Sequence, residues 1–281
     1  MPNDIALFKS CVPLLDEVYK EASLTAVLDG APELAQPGAS AEELVIPLME
    51  MSGLADYSRA SGYVQGDVTL THQTVKCNFD RGRMFTVDAL DDAETAGIAF
   101  GRLSGEFIRT RVVPELDAFR LSRYASFSGV HSVAQALTTG GDVVDALRAC
   151  VTYMDDREVP YDGRILFILP GLRGLVEDLD TTKSRAVLSR FSQVISVPQT
   201  RMYTGITQTD SGFQKAAQAK DLSFLCVHPS AVIQFQKHLA PKIIPPEMNP
   251  DADAWKFGYR SVGIASVYRS KTDGIYAHSG V

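Results

Sequence analysis

The 281-residue chain is 45% apolar and 22% charged, proportions that suit one large globular domain or two small ones and exclude disorder as its organising feature. A net charge of −7 argues against a protein whose main task is neutralising nucleic-acid phosphates, though not against one that encloses nucleic acid without gripping it. Cys11, Cys77, Cys150 and Cys226 form no CxxC pair, no apolar run reaches the ~18 residues of a membrane span, and the acidic, mixed start lacks a signal-peptide pattern, so a reduced cytoplasmic protein is expected.

Residues 1–44 carry a short helical pattern (Leu7, Val12, Leu15, Val18) followed by the turn-rich "DGAPELAQPGASAEE", which reads as an arm with a loose segment. Next come "VIPLMEM", the Gly/Ser-containing "SGLADYSRASGYVQG" and the ribbon "GDVTLTHQTVKCNFDRGRMF". Two strand-like legs and a tip make a long hairpin, whose stretch from Gly66 to Asp80 would reach ~50 Å if fully extended. Within the ribbon the apolar residues change parity: Val68 and Leu70 are even, while Val75, Cys77 and Phe79 are odd, which places the two sets on opposite faces. Either the two faces meet different partners, or a β-bulge near Thr71–Thr74 flips the ribbon within one molecule.

From residue 92 the spacing turns helical. Phe100, Leu103 and Phe107, then Val112, Leu116 and Phe119, recur at three and four, with Asp91, Asp92 and Glu94 near the N-terminal end and Arg120 and Arg123 near the C-terminal end. Pro114, in the interior, is expected to bend or split this helix. Beyond "SFSG" an α/β pattern follows. Asp142 is the expected N-cap of a helix with the stripe Val143, Leu147, Cys150, Val151 and Met154, ahead of the buried-strand run "RILFIL". Two strand–Pro–helix units, "LFILPGLRGLVEDL" and "FLCVHPSAVIQFQKHL", flank a strand at "SQVISVPQTRMY". The last forty residues read as a Pro-rich crossing, two or three strands and a hairpin turn at Asp273–Gly274.

Catalytic motifs are not met. "ASFSGV" and "RLSGEF" lack the first glycine of a GxSxG elbow, and "LPGLRG" lacks the lysine of a phosphate loop. Asp251 and Asp253 could share a divalent cation but read more simply as a solvated acidic turn, and His72, His131, His228, His238 and His278 have no metal-ligand spacing. No catalytic residue, cofactor or metal is expected. Between Lys20 and Lys183 the only lysine is Lys76 while arginine recurs, a bias that fits fixed pairing at interfaces or, equally, codon usage.

"DRGRMFTVDALDDAETAG", "EFIRTRVVPELDAFRLSRYAS" and "LSFLCVHPSAVIQFQKHLAPKIIPPEMNPDADAWKFGYR" resemble, in order, tailed-phage major capsid proteins of the Hong Kong 97-type fold. The resemblance implies an α+β chain with an N-terminal arm (1–44), extended loop (45–90), peripheral-domain spine helix (91–125), axial domain (126–240) and peripheral return strands (241–281). It implies a non-enzymatic shell of hexamers and pentamers of this chain, assembled in a bacterial cytoplasm and found in the virion, around double-stranded DNA held without sequence-specific binding. Portal and scaffolding proteins are the implied partners, and no membrane is. The loop begins too early for the N-terminal scaffolding segment of many members, so a separate scaffold, or none, is implied.

In this family the loop lies across neighbouring subunits. Tyr57, Arg59, Val68, Leu70, Val75, Phe79, Arg81 and Arg83 are therefore the expected subunit contacts. Some members join a loop lysine to a neighbour's asparagine. Lys76 and Asn249 are the residues available here, and Lys76 is expected to remain an ordinary solvated charge. An encapsulin-type nanocompartment around a cargo enzyme shares the fold and is the alternative. A cytosolic α/β enzyme stands far behind, for want of any catalytic motif.

Overall fold

The computed structural model describes residues 22–30, 36–37, 43–57, 59, 62–90, 98–179 and 181–280. The expected arm helix and the acidic residues 91, 92 and 94 lie outside them. After a 3₁₀ turn at Ala26–Leu28, the two-residue strand β1 (Gln36–Pro37) pairs with β2 (Glu43–Met51), and β2 pairs antiparallel with β3 (Val68–Lys76). The β2–β3 ladder runs without a register shift from Glu43↔Lys76 to Met51↔Val68, which rules out the alternative of a β-bulge near Thr71–Thr74. The ribbon breaks instead at Cys77 and Asn78. There the chain leaves the hairpin and enters β4 (Phe79–Asp88), which joins another sheet.

The long helix is continuous in a way that the sequence does not announce. An α-helix, α1 (Ile98–Phe107), passes through a π turn at Ile108–Val112 into a second α-helix, α2 (Val113–Ala125), and the residues at both junctions keep helical φ and ψ. Pro114 neither splits nor ends the helix. It falls in the first turn of α2, and the missing N–H is absorbed by the widened π register just before it.

β5 (His131–Ala134) leads to α3 (Gly140–Asp156), β6 (Ile165–Ile168), α4 (Pro170–Asp178), α5 (Thr182–Leu188) and β7 (Gln193–Ser196). The N-cap of α3 is Thr139 rather than Asp142. Thr139 Oγ1 accepts from the Asp142 N–H, and Asp142 Oδ2 accepts from the Thr139 N–H, a capping box that holds the Asp142 carboxyl below its usual range. The predicted stripe on α3 is buried throughout. Gly140 is required here, because a Cβ would lie 2.3 Å from the Leu175 carbonyl oxygen on α4.

A hairpin, β8 (Ile206–Thr209) with β9 (Gly212–Lys215), precedes β10 (Leu222–Val227). The helix expected after Pro229 is only a 3₁₀ turn, and "VIQFQKHL" opens the thirteen-residue strand β11 (Val232–Ile244). Alternation of Val232 and Gln234 with Ile233 and Phe235, paired along β12 (Ala254–Val267), overrides the Pro-led helix signal. Asp273–Gly274 is likewise not a hairpin turn. A 3₁₀ segment at Arg269–Gly274 carries the chain from β12 to β13 (Ile275–Ser279) in a different sheet.

Three sheets matter for function: β1-β2-β3, β11-β12-β4, and the mixed five-stranded β5-β13-β10-β6-β7. The last is apolar on both faces. Ile165, Phe167, Leu225, Val227, Ile275 and Ala277 pack with the long helix, while Leu166, Ile168, Phe224, Cys226 and Tyr276 pack with Val143, Leu147, Cys150 and Met154 of α3. The division expected at residue 240 is therefore not where the sheets separate. β11 begins the β11-β12-β4 sheet at residue 232, and β13, assigned to the return strands, completes the five-stranded sheet.

The helix also bridges the two larger sheets, because Val113, Leu116 and Phe119 share a core with Phe79, Phe257 and Tyr259. Asp117, fully buried on α2, accepts from Ser23 Oγ (2.9 Å), Thr25 Oγ1 (2.6 Å), the Leu24 and Thr25 N–H groups and Arg201 Nη1 (3.1 Å). Arg120 reaches Thr25 Oγ1 and Asp29, and Gln234 of β11 donates to the Thr25 carbonyl and Asp29 while accepting from Tyr124 Oη. Residues 23–29 are thus clamped to the helix by buried polar groups that satisfy one another.

Candidate subunit interface

Among the described residues the β2–β3 hairpin packs on the rest of its chain near its base. Ile46 and Val75 pack on Ile233 and Ile264, on the face of β11–β12 turned away from the long helix. Gln73 Nε2 donates to the Val267 carbonyl and Gln73 Oε1 accepts from the Arg269 N–H, which pins the same end. Cross-strand partners share a face, so Met49 and Met51 lie beside Leu70 and Val68 on the side opposite Gln73 and Val75. Val68 and Leu70 are 65% and 55% exposed, against 8% for Val75 and 3% for Phe79. The parity change is explained: the odd positions face this chain and the even ones face outward.

The eight expected contacts divide by their surroundings within the chain. Val75 and Phe79 are buried in the chain's own core, with the Phe79 ring 5.1 Å from the Phe119 ring. Cys77 is half-buried beside them. Val68, Leu70, Tyr57 and Arg59 are exposed. At the tip the Tyr57 and Tyr63 rings meet edge-on at 4.9 Å, and Leu54 and Val64 beside them are open to solvent. Met49, Met51, Leu54, Tyr63 and Val64 were not singled out from the sequence. Registering "VIPLMEM" against "DVTLTHQTVK" would have placed the two methionines opposite Leu70 and Val68.

Arg81 and Arg83 sit at the root of the loop and act within the chain. Arg81 Nε donates to Glu115 Oε1 of α2 at 2.8 Å, and its Nη2 donates to the carbonyls of Thr209 (2.6 Å) and Gly212 (3.3 Å), so one guanidinium ties β4, the helix and the β8–β9 turn together. Arg83, exposed, donates to the Asp210 carbonyl. Asn249 is buried and donates to the Ala254 carbonyl at 2.9 Å, while Lys76 is exposed at the end of β3. Asp251 is paired with Lys256.

Among the described residues no cluster of His, Cys, Asp or Glu is arranged to hold a metal ion, and no helix is long and apolar enough to cross a membrane. Burial raises the Cys150 thiol well above its usual range, which keeps it in the unreactive protonated form.

No protein-family model and no curated protein matches the chain. Solved structures do. One from Mycobacterium phage Che8 is 15% identical with a TM-score of 0.63, covering 91% of this chain and 90% of that one. The asymmetric unit of the bacteriophage PhiM1 mature capsid is 14% identical with a TM-score of 0.55, over 85% of this chain and 82% of that one. A virus-like particle from Pyrococcus furiosus is 9% identical with a TM-score of 0.61, over 97% of this chain and 99% of that one. At such identities the likeness is one of fold, and the fold is the Hong Kong 97 type of tailed-phage major capsid proteins.

Proposed function

We propose that this chain is the major capsid protein of a tailed bacteriophage or prophage, a structural protein whose copies form hexamers and pentamers of an icosahedral shell around double-stranded DNA. The observation that carries this reading is the hairpin. Among the described residues its outer half belongs to no buried apolar cluster and shows Met49, Met51, Val68 and Leu70 on one face, an arrangement that a lone soluble subunit gains nothing from exposing. Tyr57, Arg59, Val68 and Leu70 are the residues proposed to meet neighbouring subunits. The net charge of −7 supports a wall that lets DNA slide past, since strong phosphate binding would hold the DNA during filling. A portal and a scaffolding protein complete the assembly in the host cytoplasm, and the virion is the destination.

Electron microscopy and light scattering of the purified chain, with a scaffold co-expressed where needed, are expected to show closed shells of megadalton mass. A stable monomer under all such conditions would remove the reading. The likeness to the Pyrococcus furiosus virus-like particle over nearly the whole of both chains favours, as second reading, a nanocompartment that holds a protein cargo. The contents decide between them. Particles purified from their natural source hold nuclease-protected DNA on the first reading and a stoichiometric second protein on the other.

A further inference from the structure

Just past the end of β10 the chain sets a base against a hydroxyl. His228, only 9% exposed, has both ring nitrogens engaged: Nε2 lies 2.9 Å from the Asp162 carbonyl oxygen, and Nδ1 lies 2.7 Å from Ser230 Oγ. A carbonyl oxygen can only accept. In the neutral ring Nε2 therefore carries the proton, and the Nδ1 lone pair points at the hydroxyl, which donates to it. The Ser230 N–H also reaches Nδ1, at 3.3 Å, the longer and weaker of the two contacts. Ser230 itself is exposed.

The imidazole has little freedom to turn away. The His228 backbone N–H donates to the Gly274 carbonyl at 2.8 Å. Gly163, at φ +90°, brings the loop ahead of β6 against the ring, where a Cβ would lie 3.5 Å from Nε2. That loop is fastened in turn, since the Gly163 N–H donates to Ser192 Oγ and the Ser192 N–H to the Arg164 carbonyl, both at 2.8 Å. A histidine that merely capped the turn after Pro229 would need only Nδ1 and the Ser230 N–H. The acceptor on the far nitrogen, 66 residues away in sequence, fixes the tautomer in which a histidine takes a proton from a hydroxyl. No motif search finds this arrangement, because its orienting group is a backbone carbonyl.

We propose that Ser230 is an acyl-acceptor site, with His228 as its general base and the Asp162 carbonyl as the group that orients the base. Ser230 Oγ attacks the carbonyl carbon of a small activated acyl donor, an acyl phosphate or an active ester, while its proton passes to His228 Nδ1. The bond to the leaving group breaks, the phosphate or phenolate departs with the bonding pair, and the imidazolium returns its proton to solvent. The product is one ester per chain, on an exposed side chain that a small donor reaches directly. The site is complete within one chain and stands apart from the shell reading.

Acetylation of the purified full-length chain by p-nitrophenyl acetate, followed residue by residue with peptide mass spectrometry, tests this. Ser230 is expected to react about a hundredfold faster than the other exposed hydroxyls. His228→Asn keeps a side-chain acceptor for the Ser230 N–H but supplies no base, so it should bring Ser230 down to the rate of those hydroxyls with circular dichroism unchanged. Ser230→Ala should remove the fast label altogether. A Ser230 rate no higher than that of its peers overturns the site, and undiminished labelling in His228→Asn overturns the base. The unmodified chain offers a check that no variant can confound: Ser230 acetylation should slow in deuterated water, and equal rates in the two solvents would overturn the proton transfer.

Discussion

His278 is buried in β13 with its ring 4.8 Å from that of Phe224 and 18° from parallel, and among the described residues neither ring nitrogen has a hydrogen-bond partner. Burial lowers its pKa, because the imidazolium would lose its water without gaining an acceptor. The unfolded chain then binds a proton near the usual pKa of about 6.5 that the folded chain refuses, so this contribution to stability is intact above that pH and is lost as pH falls from there through the folded value. Urea midpoints measured between about pH 7 and pH 5 should fall less for His278→Phe than for the unmodified chain. Equal slopes would assign the acid sensitivity elsewhere. Arg81 poses a different residue-scale question, since lysine keeps its charge but cannot reach Glu115 and two carbonyls at once. Arg81→Lys is expected to cost about 1–3 kcal/mol in urea denaturation, and an unchanged midpoint would mean that water replaces those bonds without loss. The sequence placed Arg81 and Arg83 among the expected subunit contacts, and the Glu115 that Arg81 meets belongs to the same chain. That Arg83 meets a carbonyl instead was not legible, because the β8–β9 turn comes some 120 residues later in the chain.

At the scale of elements, local pattern told most where the burial period was simple. The stripe of α3 and the fully buried β6 follow from spacing alone. It failed where two local signals competed, as at Pro229, where a helix-opening proline precedes a segment that only its long-range partner β12 makes a strand. Pro114 misled in the other direction: its steric cost is real, but one π turn discharges it within a helix held by the core on both sides. Nothing in the spacing of α2 marks Asp117 as the clamp on residues 23–29, since its partners come from two distant segments. Asp117→Asn keeps the shape, yet points an amide donor at groups that are themselves donors and leaves Arg201 without its counter-charge. The expected loss is about 3 kcal/mol or more by urea denaturation, with residues 23–29 becoming the first site of limited proteolysis. A loss below about 0.5 kcal/mol would show that the clamp is ornamental.

For the whole molecule, the resemblance carried by the loop root and the long helix set the architecture, and within residues 45–90 the hairpin strands end at Lys76 while β4 pairs with β12. Deleting residues 54–66 should leave circular dichroism and the thermal midpoint of the subunit close to those of the parent while particles vanish, because no described tip residue belongs to a buried apolar cluster. Unfolding of this variant would put the tip inside the subunit's own stability. The placement of β13 between β5 and β10 bears on timing. A chain emerging from the ribosome has its hairpin strands early, yet β5 has no neighbour in the sheet until residues 275–279 arrive, and the seat for the hairpin base waits for Ile233 and Ile264. At roughly 5–20 residues per second, the interval between Met51 and Ile275 is on the order of 10–50 s. During that time a nascent chain exposes its hairpin tip before the five-stranded sheet can close. On the proposed shell reading, translation would thus delay assembly until each copy is complete through β13. Ribosome-held chains stopped at residue 270 should be cleaved between residues 131 and 227 much faster than released full chains, and equal resistance would show that the sheet closes without its late strand.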